Sequence, residues 1–302
     1  MYTVNEDFVH TFAGNPLDRG QHLRRDEAAL QALQNASSSR FLPFYQLKVA
    51  TQATGQLAWI AHGELPVTPR QLVFLGLDNG VGRFAVSIDE ASCVGCIDAF
   101  SDCRQAVAAL SAAEGGIVSQ ARAMLDWHQR NPYCAVCGSP SRTGRGGQVR
   151  HCDNCNKHIF PRTDPVAIML IQNDAKGDYC LLGKSQGRMA QSTFYSALAG
   201  FVDQGESLEE AVRREVMEEA GITVGPVSYH SSQPWPFPSS LMIGCHGMAL
   251  NRDIVIDTEE MADVAWFDRT QVLSAIAGEN PDLRIPGPGA IAHHLIKAWA
   301  NA

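Results

Sequence analysis

The sequence predicts an α+β protein with more than one domain. Its 302 residues exceed the usual size of a single domain. Short apolar runs of strand length, such as Val166–Ile171, alternate with stretches of helical periodicity. A small cysteine-rich insert, Cys134–Cys155, interrupts this alternation. We therefore expect an N-terminal α+β domain over residues 1–115, a linker helix and the insert over 116–160, and a larger α+β domain over 161–302.

The composition is that of a globular protein. Hydrophobic residues make up 45% and charged residues 19% of the chain, which excludes wholesale disorder, collagen and coiled coil. The formal net charge of −8 argues against general nucleic-acid binding through phosphates. No apolar run approaches the roughly 20 residues that span a bilayer, and the N-terminal residues do not resemble a signal peptide. We expect a cytoplasmic protein without a membrane partner, whose nine cysteines are reduced thiols or metal ligands.

Local signals predict the individual elements. Asn79-Gly80 between two apolar runs predicts a β-hairpin, because these residues accept positive φ at little cost. Gly115-Gly116 is expected to separate two helices. The predicted helices cover 24–34, 101–110, 118–129, the segment after Gly205 and an amphipathic C-terminal stretch with Ile291, Leu295, Ile296 and Trp299. The predicted strands cover 41–50, 57–61, 72–77, 84–88, 166–171, 179–182, 241–250 and 264–267.

Two Cys-x-x-Cys pairs in the insert predict a metal site. Cys134 and Cys137 are followed after 14 residues by Cys152 and Cys155. Two such pairs can place four thiolates tetrahedrally around Zn²⁺, and four protein ligands leave no open position for a substrate. We expect one structural zinc per chain; four unrelated buried thiols are the alternative.

The remaining cysteines carry no comparable pattern. Cys93 and Cys96, with Cys103 nearby, form one pair without a matching second pair, so they are assigned no metal or redox role. Cys180 and Cys245 lie in apolar strands and are expected to be core thiols.

A well-delimited acidic helix follows Gly205. Ser207 and Glu210 have the spacing of a capping box, and Gly221 is placed to end the helix in a left-handed conformation. The apolar stripe on a helical wheel consists of Leu208, Val212 and Val216.

Carboxylates interrupt this apolar stripe. Glu215 and Glu219 fall inside it and Glu218 falls at its edge, with Arg214 beside them to orient one carboxylate. Carboxylates on a core-facing stripe are costly unless something compensates their charge. A divalent cation such as Mg²⁺ or Mn²⁺ provides that compensation. The alternative is an ordinary solvated acidic face.

The segment Gly200–Ile222 resembles the Nudix box. The pattern Gly-x5-Glu-x7-Arg-Glu-hydrophobic-x-Glu-Glu-x-Gly-hydrophobic matches at all nine specified positions. The resemblance implies a Nudix fold, in which a mixed β-sheet is sandwiched between helices. It also implies cleavage of a nucleoside diphosphate linked to another moiety.

The segment Ser232–Ser240 is similar to the signature of the NADH pyrophosphatase branch of this family, Ser-Gln-Pro-Trp-Pro-Phe-Pro-x-Ser. Its prolines predict a stiff wall, and Trp235 and Phe237 offer flat faces for a base or a nicotinamide ring. A zinc ribbon ahead of the Nudix domain is a second feature of that branch. The similarity extends from about residue 121 to residue 299.

The resemblance also implies site residues. Those that would bind Mg²⁺ or Mn²⁺ or take part in catalysis are Glu215, Glu218, Glu219, Glu260 and the backbone carbonyl of Ala199. Those that would line the dinucleotide pocket are Phe160, Gln233, Pro234, Trp235, Pro236, Phe237, Pro238, Ser239, Ser240 and Ala292. Glu259 replaces Glu260 if the register slips by one residue. Phe160 stands where relatives often carry Tyr, and Gly147 stands where some relatives carry an acidic substrate contact, so those polar contacts are not expected here.

The implied activity is metal-dependent hydrolysis of NAD(H) to AMP and nicotinamide mononucleotide, with a carboxylate among Glu218, Glu219 and Glu260 as the base. Removal of NAD caps from RNA 5′ ends and a homodimer are implied as well. Two alternatives stay open. One is a Nudix hydrolase of another substrate such as ADP-ribose, and the other is a zinc-ribbon RNA-binding protein with an inactive Nudix domain.

Overall fold

The computed structural model describes residues 9–65, 71–89, 97, 99–173, 177–187 and 189–302. They form two compact units. Among the described residues, the N-terminal unit comprises those of 11–163 and Pro234–Ser239, and the C-terminal unit comprises 9–10 with those of 164–233 and 240–302. No helix in the described part of the chain is long and apolar enough to cross a membrane.

A six-stranded sheet organises the N-terminal unit. Its strands are β1 (Arg40–Tyr45), β2 (Lys48–Thr51), β3 (Ile60–Ala61), β4 (Gln71–Asp78), β5 (Val81–Ile88) and β6 (Ala99–Ser101). Its helices are α1 (Glu27–Asn35), α2 (Cys103–Ala106) and α3 (Ala112–Arg130). The strand order is β4-β5-β1-β2-β6, with β3 paired to β1. The β1–β5 pair is parallel, so the sheet is mixed.

Turn residues and helix caps determine where several of these strands and helices begin and end. Asn79-Gly80 joins β4 to β5 with φ of 50° and 83°, which confirms the predicted hairpin. Helix α1 begins at Glu27 rather than at residue 24, because the Asp26 side chain accepts a hydrogen bond from the Ala29 amide and caps it.

Three predicted elements of this unit are wrong in extent. A turn at Gln46-Leu47 divides the predicted strand 41–50 into β1 and β2. Of the predicted strand 57–61, Ile60–Ala61 pairs with β1 as strand β3, and Leu57 makes an isolated bridge to Thr51. The predicted helix 101–110 is the end of strand β6 and the four-residue helix α2, which Asp102 caps.

The predicted helix break at Gly115-Gly116 is also wrong. Helix α3 runs through both glycines, because Ser111 and Glu114 form a capping box that starts the helix ahead of them. A Cβ on Gly116 would lie 2.4 Å from the backbone nitrogen of Asn15. The glycine therefore serves close packing of the helix against an earlier segment rather than a change of direction.

A three-stranded sheet completes the N-terminal unit. Its strands are β7 (Arg142–Gly144), β8 (Val149–His151) and β9 (His158–Ile159). They pair in the order β7-β8-β9 and carry the two Cys-x-x-Cys turns at their ends.

The C-terminal unit contains a second six-stranded mixed sheet. Its strands are β10 (Asp164–Gln172), β11 (Tyr179–Ser185), β12 (Leu198–Phe201), β13 (Val224–Trp235), β14 (Ser240–Ala249) and β15 (Met261–Asp268). Its helices are α4 (Leu208–Ala220), α5 (Arg269–Ile276) and α6 (Ile291–Ala300). The order is β13-β14-β10-β11-β15, with β12 paired to β10 and a parallel β10–β14 pair.

Strand β10 shows how helices cover both faces of this sheet. Side chains alternate between the two faces of a strand. Ala167, Met169 and Ile171 lie in one core cluster, together with Val212 and Val216 of α4. On the other face, Ile168 and Leu170 lie in a second cluster with Val272 of α5 and Leu295, Ile296 and Trp299 of α6. The expected fold, a mixed sheet sandwiched between helices, is confirmed.

Candidate active site

Helix α4 has the predicted limits. The Glu210 amide donates to Ser207 Oγ at 3.3 Å, and the Ser207 amide donates to Glu210 Oε2 at 2.7 Å. Gly221 ends the helix with φ 67°, and a Cβ there would lie 2.8 Å from Cβ of Val255. Both ends of the helix are therefore fixed by local chemistry, which sets the rotation of its carboxylates.

Two glutamates of α4 turn inward as predicted. Glu219 is only 7% exposed, and its Oε2 has no hydrogen-bond partner among the described residues. The Glu215 side chain is 12% exposed and packs on β12, where a Cβ on Gly200 would lie 1.9 Å from Glu215 Cδ. Glu218, at the edge of the stripe, is 55% exposed. The helical wheel therefore ranks the three carboxylates correctly by burial.

The carboxylates of α4 and Glu260 form one electrostatic cluster. Burial, followed by the negative charges of Glu215, Glu260 and Glu218, raises the pKa of Glu219 to about 8. Burial also raises the pKa of Glu215, which the neighbouring Arg214 opposes. Glu260 itself is exposed and lies just before β15. A buried carboxylate with an unsatisfied oxygen amid like charges has the chemistry of a site that receives a cation.

Arg214 organises the exposed side of this cluster. Its Nη1 donates to Glu215 Oε1 at 2.8 Å and to Glu218 Oε2 at 3.0 Å. Its Nε donates to Glu206 Oε1 at 2.6 Å, and this hydrogen bond lowers the pKa of Glu206 to about 2. The sequence predicts that Arg214 orients a carboxylate. It does not predict that Glu206 binds Arg214, although Glu206 occupies a specified position of the Nudix box.

A cavity of about 430 Å³ lies beside the carboxylates within the C-terminal unit. Ala199 and Glu219 line it, as does Lys184, which the sequence reasoning missed. The Lys184 Nζ donates to the Ser192 carbonyl at 2.9 Å and lies 4.7 Å from the ring centre of Tyr195. The sequence shows Lys184 only as a lysine at the end of strand β11, and this position does not distinguish it from other lysines. The cavity thus places one buried carboxylate and a fixed ammonium group in a largely apolar wall.

The four predicted cysteines come together. Their sulfur atoms lie within 4.8 Å of one another, with Cys134 Sγ 3.6 Å from Cys155 Sγ and Cys137 Sγ 3.5 Å from Cys152 Sγ. The two turns match: the Gly138 amide donates to Cys134 O, and the Asn156 amide donates to Cys152 O, both at 2.9 Å. Such a set of four thiols fits zinc. No other set of three or more His, Cys, Asp or Glu ligand atoms is as closely gathered within the described ranges.

The signature residues divide between two environments. Gln233 is 1% exposed; its Nε2 donates to Gly289 O at 2.9 Å and its Oε1 accepts from the Ile291 amide at 2.8 Å. Pro234, Trp235, Pro236, Phe237, Pro238 and Ser239 belong instead to the N-terminal unit. Gln233 therefore holds the start of α6, the helix that carries the buried Ala292.

The Phe237 ring is covered by cations. The guanidinium carbons of Arg104 and Arg122 lie 3.9 and 4.4 Å from its centre. Trp235 meets it edge to face at 5.3 Å. The contact of the two arginines with Phe237 is not predicted from the sequence, because more than a hundred residues separate each of them from Phe237 along the chain.

Other predicted positions behave as follows. Phe160 is 59% exposed and is free to contact a ligand ring. Gly147 has φ 94°, and a Cβ there would lie 3.1 Å from Val73, which explains why an acidic side chain has no room.

Cys103 is buried and donates to Leu47 O at 3.5 Å; burial raises its pKa to about 12. Cys180 and Cys245 are core thiols, as expected. Cys93 and Cys96 lie outside the described residues.

Comparison with protein families identifies a NUDIX domain over residues 162–285 and an NADH pyrophosphatase-like rudimentary NUDIX domain over residues 38–127. Residues 162–285 form a Nudix domain. The two six-stranded sheets of this Nudix protein fall within these two domains, and the cysteine cluster lies between residues 127 and 162.

Three relatives are named as NAD-capped RNA hydrolases or as an NAD(P)H pyrophosphatase. This Nudix protein is 40% identical over 237 residues to human "NAD-capped RNA hydrolase NUDT12", covering 74% of this chain and 51% of that protein. It is 38% identical over 218 residues to human mitochondrial "NAD(P)H pyrophosphatase NUDT13", covering 67% and 59%. It is 39% identical over 191 residues to "NAD-capped RNA hydrolase NudC" of Mycobacterium bovis, covering 61% and 60%. The chain therefore spans about half to three-fifths of the length of these relatives.

Proposed function

We propose that this Nudix protein hydrolyses the diphosphate bond of NAD(H) to AMP and nicotinamide mononucleotide. The observation that carries the proposal is the buried Glu219 carboxylate, whose Oε2 has no partner within the described residues and which lines the 430 Å³ cavity. The choice of substrate is supported by the signature at Ser232–Ser240 and by relatives named for NAD(P)H pyrophosphatase and NAD-capped RNA hydrolase activity.

The catalytic metal site is proposed from donor chemistry. Glu215, Glu219, Glu260 and the backbone carbonyl of Ala199 would hold Mg²⁺ or Mn²⁺, since hard oxygen donors suit these ions. The bound ion would neutralise phosphate charge and lower the pKa of a water molecule. Lys184, held by Ser192 and Tyr195, would add a positive charge beside the diphosphate.

The remaining polar groups would position the metal ligands and the substrate or deprotonate the attacking water. Arg214 fixes Glu215 and leaves Glu218 at the exposed edge of the cluster. A carboxylate among Glu218, Glu219 and Glu260 would accept the proton of the attacking water. Gln233 would set the position of Ala292 by holding the start of α6.

A substrate panel tests this proposal. The purified protein is incubated with NADH, NAD⁺ or ADP-ribose, each with Mg²⁺ or Mn²⁺, and the products are separated by chromatography. We expect AMP and reduced nicotinamide mononucleotide as the preferred products. Glu219→Gln should lower turnover by at least ~100-fold, whereas Glu209→Gln, on the exposed side of α4, should leave it unchanged. Faster hydrolysis of ADP-ribose than of NADH would refute the choice of substrate.

NAD-capped RNA is proposed as a second substrate of the same site. It is supported by two of the relatives' names. The net charge of −8 favours recognition of the cap rather than of the RNA body. Decapping that is steeply weakened by salt while NADH hydrolysis is not would contradict this mode of recognition.

Four further proposals concern the whole chain. The cysteine cluster holds one structural Zn²⁺, the chain forms a homodimer, it is located in the cytoplasm, and its divisions lie near residues 115 and 160. Metal analysis, light scattering, cell fractionation and limited proteolysis test them in turn. One of the relatives is named as mitochondrial, so recovery of this protein in the mitochondrial fraction would contradict the cytoplasmic proposal.

A further inference from the structure

We propose that the N-terminal unit binds a small phosphate monoester with free hydroxyl groups, in a cavity lined by Arg150 and His128. The cavity measures about 350 Å³, and all of its lining residues belong to the N-terminal unit. This volume lies within the range of small-molecule sites. The lining residues include none of those assigned above to metal binding, catalysis or the dinucleotide pocket.

Arg150 supplies the charge of this cavity. It is 7% exposed, and burial lowers the pKa of its guanidinium. Its Nε donates to Ser141 Oγ at 2.8 Å and its Nη2 to Ser141 O at 2.6 Å. Among the described residues, no carboxylate oxygen lies within 4.0 Å of its nitrogens. A buried cation whose partners are all neutral is costly, and a bound anion removes that cost.

His128 fixes the side of the guanidinium that an anion would meet. Its Nε2 donates to Gly147 O at 2.8 Å, so its Nδ1 is left to accept from Arg150 Nη1 at 3.1 Å. Burial and the charge of Arg150 keep this imidazole neutral, with a pKa of about 4. These contacts hold the planar guanidinium in one orientation and leave the second hydrogen of Nη1 for a ligand oxygen.

A strained turn borders the same cavity. Gln46 and Leu47 have φ of 51° and 61°, a region that side-chain-bearing residues rarely adopt. Asn-Gly would make this two-residue turn at lower cost. Leu47 packs on the core, whereas the side chain of the exposed Gln46 donates to the hydroxyl of the adjacent Tyr45 at 3.1 Å. Both Tyr45 and Gln46 line the cavity, and strained backbone is concentrated at binding sites.

The rest of the lining indicates the class of ligand. Arg150 selects a phosphate, while Leu47, Leu125 and Ile88 offer an apolar surface for a carbon skeleton. The exposed Asp89 also lines the cavity, so a ligand with hydroxyl donors fits better than a bare anion. Ribose 5-phosphate has both features and is a suitable probe.

Isothermal titration of the full chain tests the site. We expect ribose 5-phosphate to bind at least tenfold more tightly than ribose or inorganic phosphate. Gln129 lies exposed on α3 at the cavity wall. Gln129→Glu should weaken binding three- to tenfold and Gln129→Lys should strengthen it by a similar factor, because the added charge lies near the phosphate. Gln31→Glu and Gln31→Lys, on the exposed face of α1, make the same changes in net charge and should have no effect.

A second variant tests the guanidinium directly. Arg150→Gln should lower affinity at least tenfold, with zinc content measured to show that the ribbon remains folded; if zinc is lost, the Gln129 pair decides alone. Equal affinities for the two Gln129 variants would overturn the proposal, as would failure of ribose 5-phosphate to bind. Loss of binding in Glu219→Gln would do the same, since it would place the ligand in the other unit.

Discussion

Gly200 shows how one missing side chain places a candidate metal ligand. A Cβ at this position would lie 1.9 Å from Glu215 Cδ, far inside van der Waals contact. Gly200→Ala should therefore displace the Glu215 carboxylate and lower turnover by ~100-fold or more, with little loss of fold. Gly287→Ala is the matched control, because a Cβ there meets nothing within 4 Å. Steady-state kinetics beside a thermal melt separates the two; equal turnover of both variants would contradict the assignment of Glu215.

The contacts of a single residue can be predicted from the sequence where its partner is close along the chain. Arg214 reaches Glu215 and Glu218, one and four positions away, and both separations follow from helical geometry. The burial order of Glu215, Glu218 and Glu219 follows from the same wheel. Lys184 could not be found in this way, because its place on the cavity wall depends on the pairing of β11 with β15.

At the scale of an element, Gln233 acts as the missing cap of α6. The N-cap residue of this helix, Ala290, has no side-chain acceptor, and Gln233 Oε1 accepts from the Ile291 amide instead. Gln233→Leu should cost ~1–2 kcal/mol of unfolding free energy. Adding Ala290→Ser should recover part of the loss, because an N-cap hydroxyl accepts from an amide at N2 or N3 and so stabilises the same helix end, although the Ile291 amide keeps no acceptor. Urea titration measures both, and full stability in Gln233→Leu alone would contradict the capping function.

His246 links strand β14 to α6 and makes stability depend on pH. Its Nε2 donates to Leu295 O at 3.1 Å, and burial lowers its pKa to about 4, with His230 a minor contributor. Because the folded pKa is depressed, the unfolded chain binds the proton more tightly. This stability is present above pH ~6.5 and is lost as the pH falls towards 4. Replacing His246 with Gln should therefore reduce the loss between pH 7 and 5 by about 2 kcal/mol. Parallel urea titrations at both pH values test this, and an unchanged loss would contradict it.

The elements differ in how far the sequence predicts them, for a physical reason. Helix α4 was predicted to within a residue because its capping box and its C-terminal glycine are local signals. Helix α3 was divided wrongly at Gly115-Gly116. The reason for a glycine there is the segment around Asn15, about a hundred residues earlier in the chain. The capping function of Gln233 was missed likewise, since its partner follows 58 residues later.

At the scale of the whole molecule, sequence order and compact units do not coincide. Pro234–Ser239 comprises the end of β13 and its connection to β14, strands of the C-terminal sheet, but belongs to the N-terminal unit. There, Phe237 packs on the N-terminal core beneath Arg104 and Arg122. A division of the chain at single boundaries, as the sequence suggests, does not describe this exchange. The aromatic residues of the signature therefore have a packing function in addition to any contact with a ligand.

The cysteine cluster should determine the stability of the three-stranded sheet β7-β8-β9 in the N-terminal unit. Its four sulfur atoms lie within 4.8 Å of one another, and the strands of this sheet are only two or three residues long. Strands this short have little packing of their own, so metal binding has to supply the folding free energy. Cys137→Ser should abolish binding of one Zn²⁺ per chain and lower the melting temperature by ~10 °C or more. Cys103→Ala removes a buried thiol of the same unit, outside the cluster, and should retain zinc with only a small loss of stability. Metal analysis and calorimetry of the two variants test this. Full zinc content in Cys137→Ser would show that the four thiols do not act together, since the remaining three would then suffice to hold the ion.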